Sequence, residues 1–397
     1  MSPRAVLVFI REYLPGFKSG GPIRSVANLV DQLGDELSFW IITADRDFGD
    51  TVPYPGIEPG RWYDQGKAKV CYVPPNRRGL FALARLMRET PHDLVYLNSL
   101  FNPAFTTTPM LAIRLGLAPK RPVILAPRGE FAQAALALKS RKKQIFLTVS
   151  RLFGLHRGVT WQATSQHEVE DIRARMDMPP ERIFLAPNLP RSSASLPERS
   201  PRNTKDPLRI ALLGRISPMK NVDFALSVLQ RVTSQVTFTI YGPQEDVAYW
   251  SRCKDLIEDL PGNVQVEVKG GVAAELVLPE MVRHDLFFLP THGENFGHAI
   301  SEAAQAGLPL LISDRTPWRD LQERQLGWDL PLDDTYAFVQ AIETVASMAP
   351  QDLMTWHHQI TQTADRNEAA QATLVANRAL FANAVICTNS GDIRSVH

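Results

Sequence analysis

The chain has few cysteines. Only Cys71, Cys253 and Cys387 occur in 397 residues, far apart and without C-x-x-C spacing. That excludes a disulfide-stapled scaffold and a thiolate metal framework, and fits a reducing compartment. Long apolar runs are missing too. A spanning helix needs about 20 apolar residues, and the N-terminal "MSPRAVLVFIREYLPG" offers a run of six before Arg11 and Glu12. A signal peptide needs a longer core, so a cytoplasmic protein is expected, with any membrane contact peripheral at the inner face of the cytoplasmic membrane. Charge of one sign is also scarce: the net charge of +1 argues against a bulk polyanion binder while leaving room for a local patch. No internal repeat or low-complexity tract is visible.

Against these absences stands an ordinary globular composition, 44% hydrophobic and 21% charged, in a chain long enough for two domains. "AVLVFI" (Ala5–Ile10) is a short continuous apolar run, the pattern of a strand buried on both faces. A Gly- and Pro-rich loop follows, then "GPIRSVANLVDQLG". There Ile23, Val26, Ala27, Val30 and Leu33 recur at helical spacing and Pro22 suits a first helical position. "LSFWIIT", "DLVYLN" and "PVILAPRG" continue the rhythm to about Leu185. "NLPRSSASLPERSPRNTKDP" reads as a linker, after which "LRIALLG", "VTFTIYG", "LFFLP" and "LPLLIS" restart it. The expected architecture is α/β, with two doubly wound, Rossmann-like domains facing a central cleft. Their bounds are residues 1–190, a linker at 191–206, and 207–371, with a helix at about 372–390 packing back on the first domain.

Three loops at expected strand ends carry candidate chemistry. "EYLPGFKSGGPIRS" brings Gly20 and Gly21 to a helix start. It lacks the G-x-G-x-x-G fingerprint, and Pro22 stands where a Walker A loop needs Lys. Its amides suit a phosphate, and a plain tight turn explains it equally well. In "LLGRISPMKN", Gly214 ends a strand, Arg215 follows, and Lys220 lies at a helix start, where a cation opposes the macrodipole. An anion between Arg215 and Lys220 reverses that penalty; two exposed cations are the simpler reading. In "THGENFGHAISEAAQAG", Glu294 lies in a loop and Glu302 in the following helix, with the amides of Gly297, His298 and Ala299 between them. Carboxylates accept well from diols. For His298, a surface or packed ring outweighs proton transfer.

Taken in order, "GRISPMK", "YGP" and "GENFGHAISEAAQAGLPLLISD" resemble the retaining glycosyltransferases of family 4, which have the GT-B fold. The resemblance extends over nearly the whole chain and is strongest from about Leu208 to Trp318. The family's Glu-x7-Glu is met by Glu294 and Glu302, and its Gly-Arg-x4-Lys by Gly214, Arg215 and Lys220. The resemblance implies that Arg215 and Lys220 hold the diphosphate of a UDP- or GDP-sugar donor, Glu302 its ribose, and Glu294 the transferred sugar. Gly20, Gly21 and the amides of Gly297 to Ala299 would assist. It further implies a hexosyltransferase with no metal and no cofactor, retention by same-face substitution, and surface polysaccharide assembly (exopolysaccharide, O-antigen or lipopolysaccharide). One position departs: where many members have His in an "HG" turn, this chain has Arg128, then Gly129 and Glu130. Arg128 is expected either to meet an anionic sugar or acceptor phosphate, or to pair with Glu130 or another acid and serve only the turn.

Between residues 119 and 157 nine Lys and Arg face one acid, Glu130. "KSRKKQIFLTVSRLFGLHR" sets Ile145, Phe146, Val149, Leu152 and Phe153 at helical spacing. The stripe is expected to pack on the core. Lys139, Arg141, Lys142 and Lys143 are expected to attract anionic lipid or a lipid-linked acceptor. Aromatic interleaving for base stacking is lacking, so nucleic acid is not an expected partner. Two other functions compete with sugar transfer to a glycan or lipid-linked acceptor: a nucleotide-sugar epimerase or hydrolase with Glu294 and Glu302 as acid and base, and a non-catalytic binding subunit.

Overall fold

The computed structural model describes residues 3–131, 140–176, 178–192, 196–203, 205–365 and 368–389. The chain divides into two compact units, residues 1–189 with 369–397, and residues 190–368.

The first unit is built on an eight-stranded sheet among the described residues. Its strands are β1 (Arg4–Phe9), β2 (Leu37–Ala44), β3 (Trp62–Gln65), β4 (Ala68–Val73), β5 (Leu94–Asn98), β6 (Val123–Ala126), β7 (Thr160–Ala163) and β8 (Ile183–Leu185). The order is β3-β4-β2-β1-β5-β6-β7-β8. Every pairing is parallel except β3 with β4. Helices α1 (Gly21–Leu33), α2 (Leu80–Glu89), α3 (Thr108–Arg114), α4 (Ser140–Leu152) and α5 (Gln166–Met176) connect the strands. Strand residues alternate between two cores: Leu7 and Phe9 join one face, Val6 and Val8 the other. That is why these strands read as unbroken apolar runs.

The second unit has a six-stranded, all-parallel sheet, β11-β10-β9-β12-β13-β14. Its strands are β9 (Leu208–Leu213), β10 (Val236–Tyr241), β11 (Val264–Gly270), β12 (Leu286–Leu289), β13 (Leu310–Ser313) and β14 (Gly327–Leu330). Its helices are α6 (Val222–Leu229), α7 (Val247–Glu258), α8 (Ala274–Met281), α9 (His298–Gln305), α10 (Thr335–Ser347) and α11 (Pro350–Asp365). The Pro- and Ser-rich stretch before β9 is tied to this unit. Arg191 donates to Ala274 O, Arg199 to the carbonyls of His284 and Ala306, and Arg202 to those of Asp206 and Ala346. Guanidinium groups thus anchor a segment that has few apolar side chains of its own.

The last helix, α12 (Glu368–Asn389), belongs to the first unit. Leu380, Phe381 and Ala384 are buried against Val6, Val8 and α1, and Phe381 meets Phe39 and Tyr96 edge-on. Arg378 forms a forked pair with Glu36.

In each sheet one central strand has neighbours reached by connections running in opposite senses: β1 between β2 and β5, and β9 between β10 and β12. Open parallel sheets bind ligands outside the carboxyl ends of such strands. The loops that follow β1 and β9 are therefore the candidate ligand-binding loops, each of its own sheet.

Candidate active site

After β9 the backbone leaves the sheet at Gly214 and passes through a short turn, Pro218–Lys220, into α6. A side chain at Gly214 would crowd the Lys220 stem at 3.3–3.4 Å, so glycine lets that stem lie over the strand end. The neighbouring loop is closer still. A Cβ at Gly242 would stand 1.9 Å from Gly214 O, and Gly242 has φ +149, so only glycine fits the "YGP" turn. The two loops zip together through Ile216 N to Pro243 O and Glu245 N to Ile216 O. This brings Arg215 Nη1 within 2.6 Å of Glu245 Oε1.

Lys220 reaches the other way. Its Nζ donates to Glu294 Oε1, and both side chains are mostly buried, with 17% and 14% exposure. The β12–α9 loop is fixed for this contact from several sides. Thr291 Oγ1 and His292 N donate to Met219 O, Asn221 Nδ2 to Pro290 O, Ser313 Oγ to Thr291 O, and Trp318 Nε1 to Phe296 O. Asn221, with φ 58, caps α6 in the left-handed conformation that Asn tolerates better than most residues. Gly297 (φ +80) opens α9, and a Cβ there would strike Ile300 at 2.9 Å. The first turn of a helix leaves its leading amides without intrahelical acceptors, and here that turn is His298, Ala299 and Ile300. The His298 ring meets the Phe296 ring at a tilt of 56°, with centroids 4.7 Å apart. Glu302 is buried one turn further in, at 6% exposure.

In the first unit, Gly20 has φ 66 and precedes α1, which begins at Gly21 with Pro22 in its first turn. Asp47 holds this loop by accepting from Phe17 N and Lys18 N, and Ser19 Oγ donates to Glu12. Burial raises the Glu12 carboxyl above the usual range, although Arg11 and Ser19 oppose it.

Arg128 follows β6 and stands at φ 58; Ser99, after the adjacent β5, stands at φ 81. Two non-glycine residues in the left-handed region on neighbouring strand ends, of order 1–3 kcal/mol each, are a mark of functional sites. Arg128 does not pair with Glu130, contrary to the turn-only expectation. Glu130 instead accepts from Ser99 Oγ and from the amides of Leu100 and Phe101. Burial nevertheless raises its carboxyl pKa. Glu168 takes Gly129 N, Thr164 N and Thr164 Oγ1. Both nearby acids are thus satisfied by loop amides and hydroxyls.

Lys139 lies outside the described residues. Arg141 and Lys142 are exposed on α4, and Lys143 sits 5.0 Å over the Phe101 ring. The expected core-packed stripe is corrected. Ile145 is 64% exposed, Leu152 79% and Phe153 78%, and Val149 is exposed as well. Of that stripe Phe146 does pack inward, and Leu147 and Ser150 are the buried residues beside it. Helical spacing marks a stripe without saying what covers it. No helix among the described residues is long and apolar enough to cross a membrane.

Sequence reasoning did not foresee Glu245 as the partner of Arg215. Its only signal was its place just after "YGP" at the next strand end. Trp318, Glu12 and Asp47 had no signal of their own.

With this geometry in place, the chain can be set beside known proteins. Residues 196–349 match the family of glycosyl transferases group 1. The phosphatidylinositol N-acetylglucosaminyltransferase gpi3 subunit of Schizosaccharomyces pombe is 30% identical over 144 residues, 35% of this chain and 30% of that protein. The chain thus spans under a third of that relative in the match. Among solved structures, WaaG, a glycosyltransferase involved in lipopolysaccharide biosynthesis, superposes with a TM-score of 0.65 at 14% identity, covering 95% of this chain and 98% of WaaG. Anabaena Alr3699/HepE, in complex with UDP and glucose, gives 0.59 at 15%, covering 92% and 100%. At these identities the likeness is one of fold: two parallel-sheet α/β domains of the GT-B type.

Proposed function

We propose that the chain is a retaining, metal-independent hexosyltransferase. It moves a sugar from a nucleoside-diphosphate donor to a glycan or lipid-linked acceptor in surface polysaccharide assembly. The observation that carries this reading is the pairing of Lys220 with Glu294 at the strand end where the second sheet reverses its order. A donor diphosphate exchanges its oxygens for the carboxylates now on Lys220 and Arg215. That exchange releases Glu294 to accept from hydroxyls of the transferred sugar. Glu302 binds the ribose, and the first-turn amides of α9 face phosphate.

As the bond from the anomeric carbon to the diphosphate oxygen breaks, negative charge grows on the leaving group, where two fixed cations stabilise it. The acceptor oxygen bonds to the same face of the anomeric carbon, and its proton passes to the departing phosphate. The UDP and glucose in the HepE structure, and the lipopolysaccharide and phosphatidylinositol contexts of WaaG and gpi3, support the choice of donor and acceptor class.

The exposed face of α4, with Ile145, Val149 and Leu152 beside Arg141, Lys142 and Arg151, and Phe153 just after the helix, supports a peripheral seat on an anionic membrane at its cytoplasmic side. The reading is tested by mixing the protein with UDP- and GDP-sugars and lipid-linked acceptors while following nucleotide release. Release that needs acceptor agrees with transfer. Acceptor-independent turnover makes the protein a hydrolase or epimerase, and binding without turnover makes it a binding subunit.

A further inference from the structure

The Arg128 guanidinium is built into a rigid frame that contains no counter-charge. Nε and Nη2 donate to Asn98 Oδ1 at 3.1 and 2.7 Å, Nη2 to Tyr96 Oη at 2.6 Å, and Nη1 to Asn188 Oδ1. The guanidinium also lies 5.9 Å over the Tyr96 ring. The frame continues inward. Tyr96 Oη donates to Gln162 Oε1 at 2.6 Å, and Gln162 Nε2 to Ala186 O at 2.8 Å. Asn377 on α12 closes the frame by donating to Pro187 O. Among the described residues no carboxylate comes within ion-pair distance of Arg128; Glu130, two residues on, and Glu168, which accepts from Gly129 N, are committed to other donors.

Buried charges are ordinarily paired. Arg128 is only partly exposed, is held at a left-handed φ, and meets only neutral oxygens. A purely structural tie between β5 and residue 188 would not need a charge, since neutral donors can bond the same neutral oxygens. What a fixed guanidinium adds is charge, with one of its five N–H groups, on Nη1, outside these bonds and suited to a carboxylate or phosphate oxygen.

We propose that Arg128 is a specificity-determining residue that receives an oxyanion carried by the substrate, a carboxylate or a phosphate monoester. This deepens the transferase reading and rests on it for the word substrate. The oxyanion has two possible carriers, an acidic donor sugar or a phosphorylated acceptor, and the test separates them. Affinities are measured by calorimetry for UDP-glucuronate against UDP-glucose, for GDP-mannuronate against GDP-mannose, and for glucose 6-phosphate against glucose. The proteins are the wild type, Arg128→Gln and Arg128→Lys. The expected result is a tenfold or greater preference for the anionic member of at least one pair. Arg128→Gln brings that preference to near parity, and Arg128→Lys keeps part of it.

A preference in the nucleotide pairs assigns the anion to the donor; a preference in the last pair assigns it to the acceptor. No preference in any pair, or a preference that survives Arg128→Gln, overturns the proposal. If Arg128→Gln does not fold, the wild-type pairs and Arg128→Lys, whose preference must fall because an ammonium has too few donors to be fixed in the same frame, still decide it. Failure of UDP and GDP themselves to bind would strike the transferase reading instead, leaving the glucose 6-phosphate pair to judge Arg128 by itself.

Discussion

Lys220 in the second unit and Arg128 in the first are both cations at the carboxyl ends of parallel strands, yet their partners differ in charge. Lys220 is paired with Glu294, and its neighbour Arg215 with Glu245. Arg128 rests on Asn98, Tyr96 and Asn188. A cation with a carboxylate partner can be exchanged between that partner and a phosphate. Its net attraction for an anion is reduced by the ion pair that must be broken. A cation framed by neutral dipoles keeps its charge on offer. The difference suggests two tasks: binding and releasing a diphosphate at Lys220, and discriminating by charge at Arg128.

The largest expected effect breaks the first half of this comparison. Lys220→Ala should lower the transfer rate by about 10²–10³, the usual loss when one donor to a developing oxyanion is removed, as read in acceptor-dependent nucleotide release. Arg215 is more exposed, at 40% against 17% for Lys220. Arg215→Ala should therefore cost about tenfold, because solvent screens it; equal losses in the two variants would erase the distinction.

Next in size is Gly242→Ala. Its Cβ would stand 1.9 Å from Gly214 O, so the zip that aligns Arg215 with Glu245 must open. A loss of about 1–3 kcal/mol or more is expected in urea unfolding, together with weaker donor binding. Unchanged stability would show that the close approach is not essential.

How much of this was legible beforehand follows from the physics of each element. β1, β5, β9, β12 and β13 were readable because strands covered on both faces must be continuously apolar. The Gly214 and Gly297 loops were readable because close backbone approach and positive φ leave glycine as the residue of choice. The edge strands β3 and β14, "WYDQ" and "GWDL", were not, since half-exposed short strands carry no such run. Neither was the Lys220–Glu294 pair. Its members are 74 residues apart in sequence, and only the fold brings the two loops together. The Arg128 frame was equally hidden, because Asn98, Asn188 and Tyr96 are polar residues with no periodic signature. α4 was misjudged for a different reason: apolar periodicity is the same whether the stripe is covered or exposed.

A smaller effect probes the first unit beneath α4. His156 is buried between Phe146 and Trp161, and burial pushes its pKa down to about 4. The unfolded chain, with an ordinary histidine near pH 6.5, binds more protons in this range. Stability should therefore be intact above about pH 6.5 and fall as the pH drops toward 4. His156→Phe should flatten that part of the melting-temperature profile. An unchanged slope would mean that the ring gains a partner on acidification.

The smallest stability effect belongs to the exposed face of α4. Leu152→Ser with Phe153→Ser should change unfolding by less than about 0.5 kcal/mol while reducing sedimentation with anionic vesicles. Arg141→Glu with Lys142→Glu should weaken that binding by about tenfold or more, at roughly 1 kcal/mol per lost cation. Destabilisation without a change in vesicle binding would return the stripe to a packing role.

The exchange at Lys220 is tested most directly by titrating UDP and GDP into the wild type and Glu294→Gln by calorimetry. Because the variant keeps Lys220 and removes its competing carboxylate, the preferred nucleoside diphosphate should bind several-fold tighter, although acceptor-dependent transfer is lost. Adding Lys220→Ala to the variant should cancel the gain. Equal or weaker binding in Glu294→Gln would contradict the account, for it would mean that Glu294 and the diphosphate do not share Lys220.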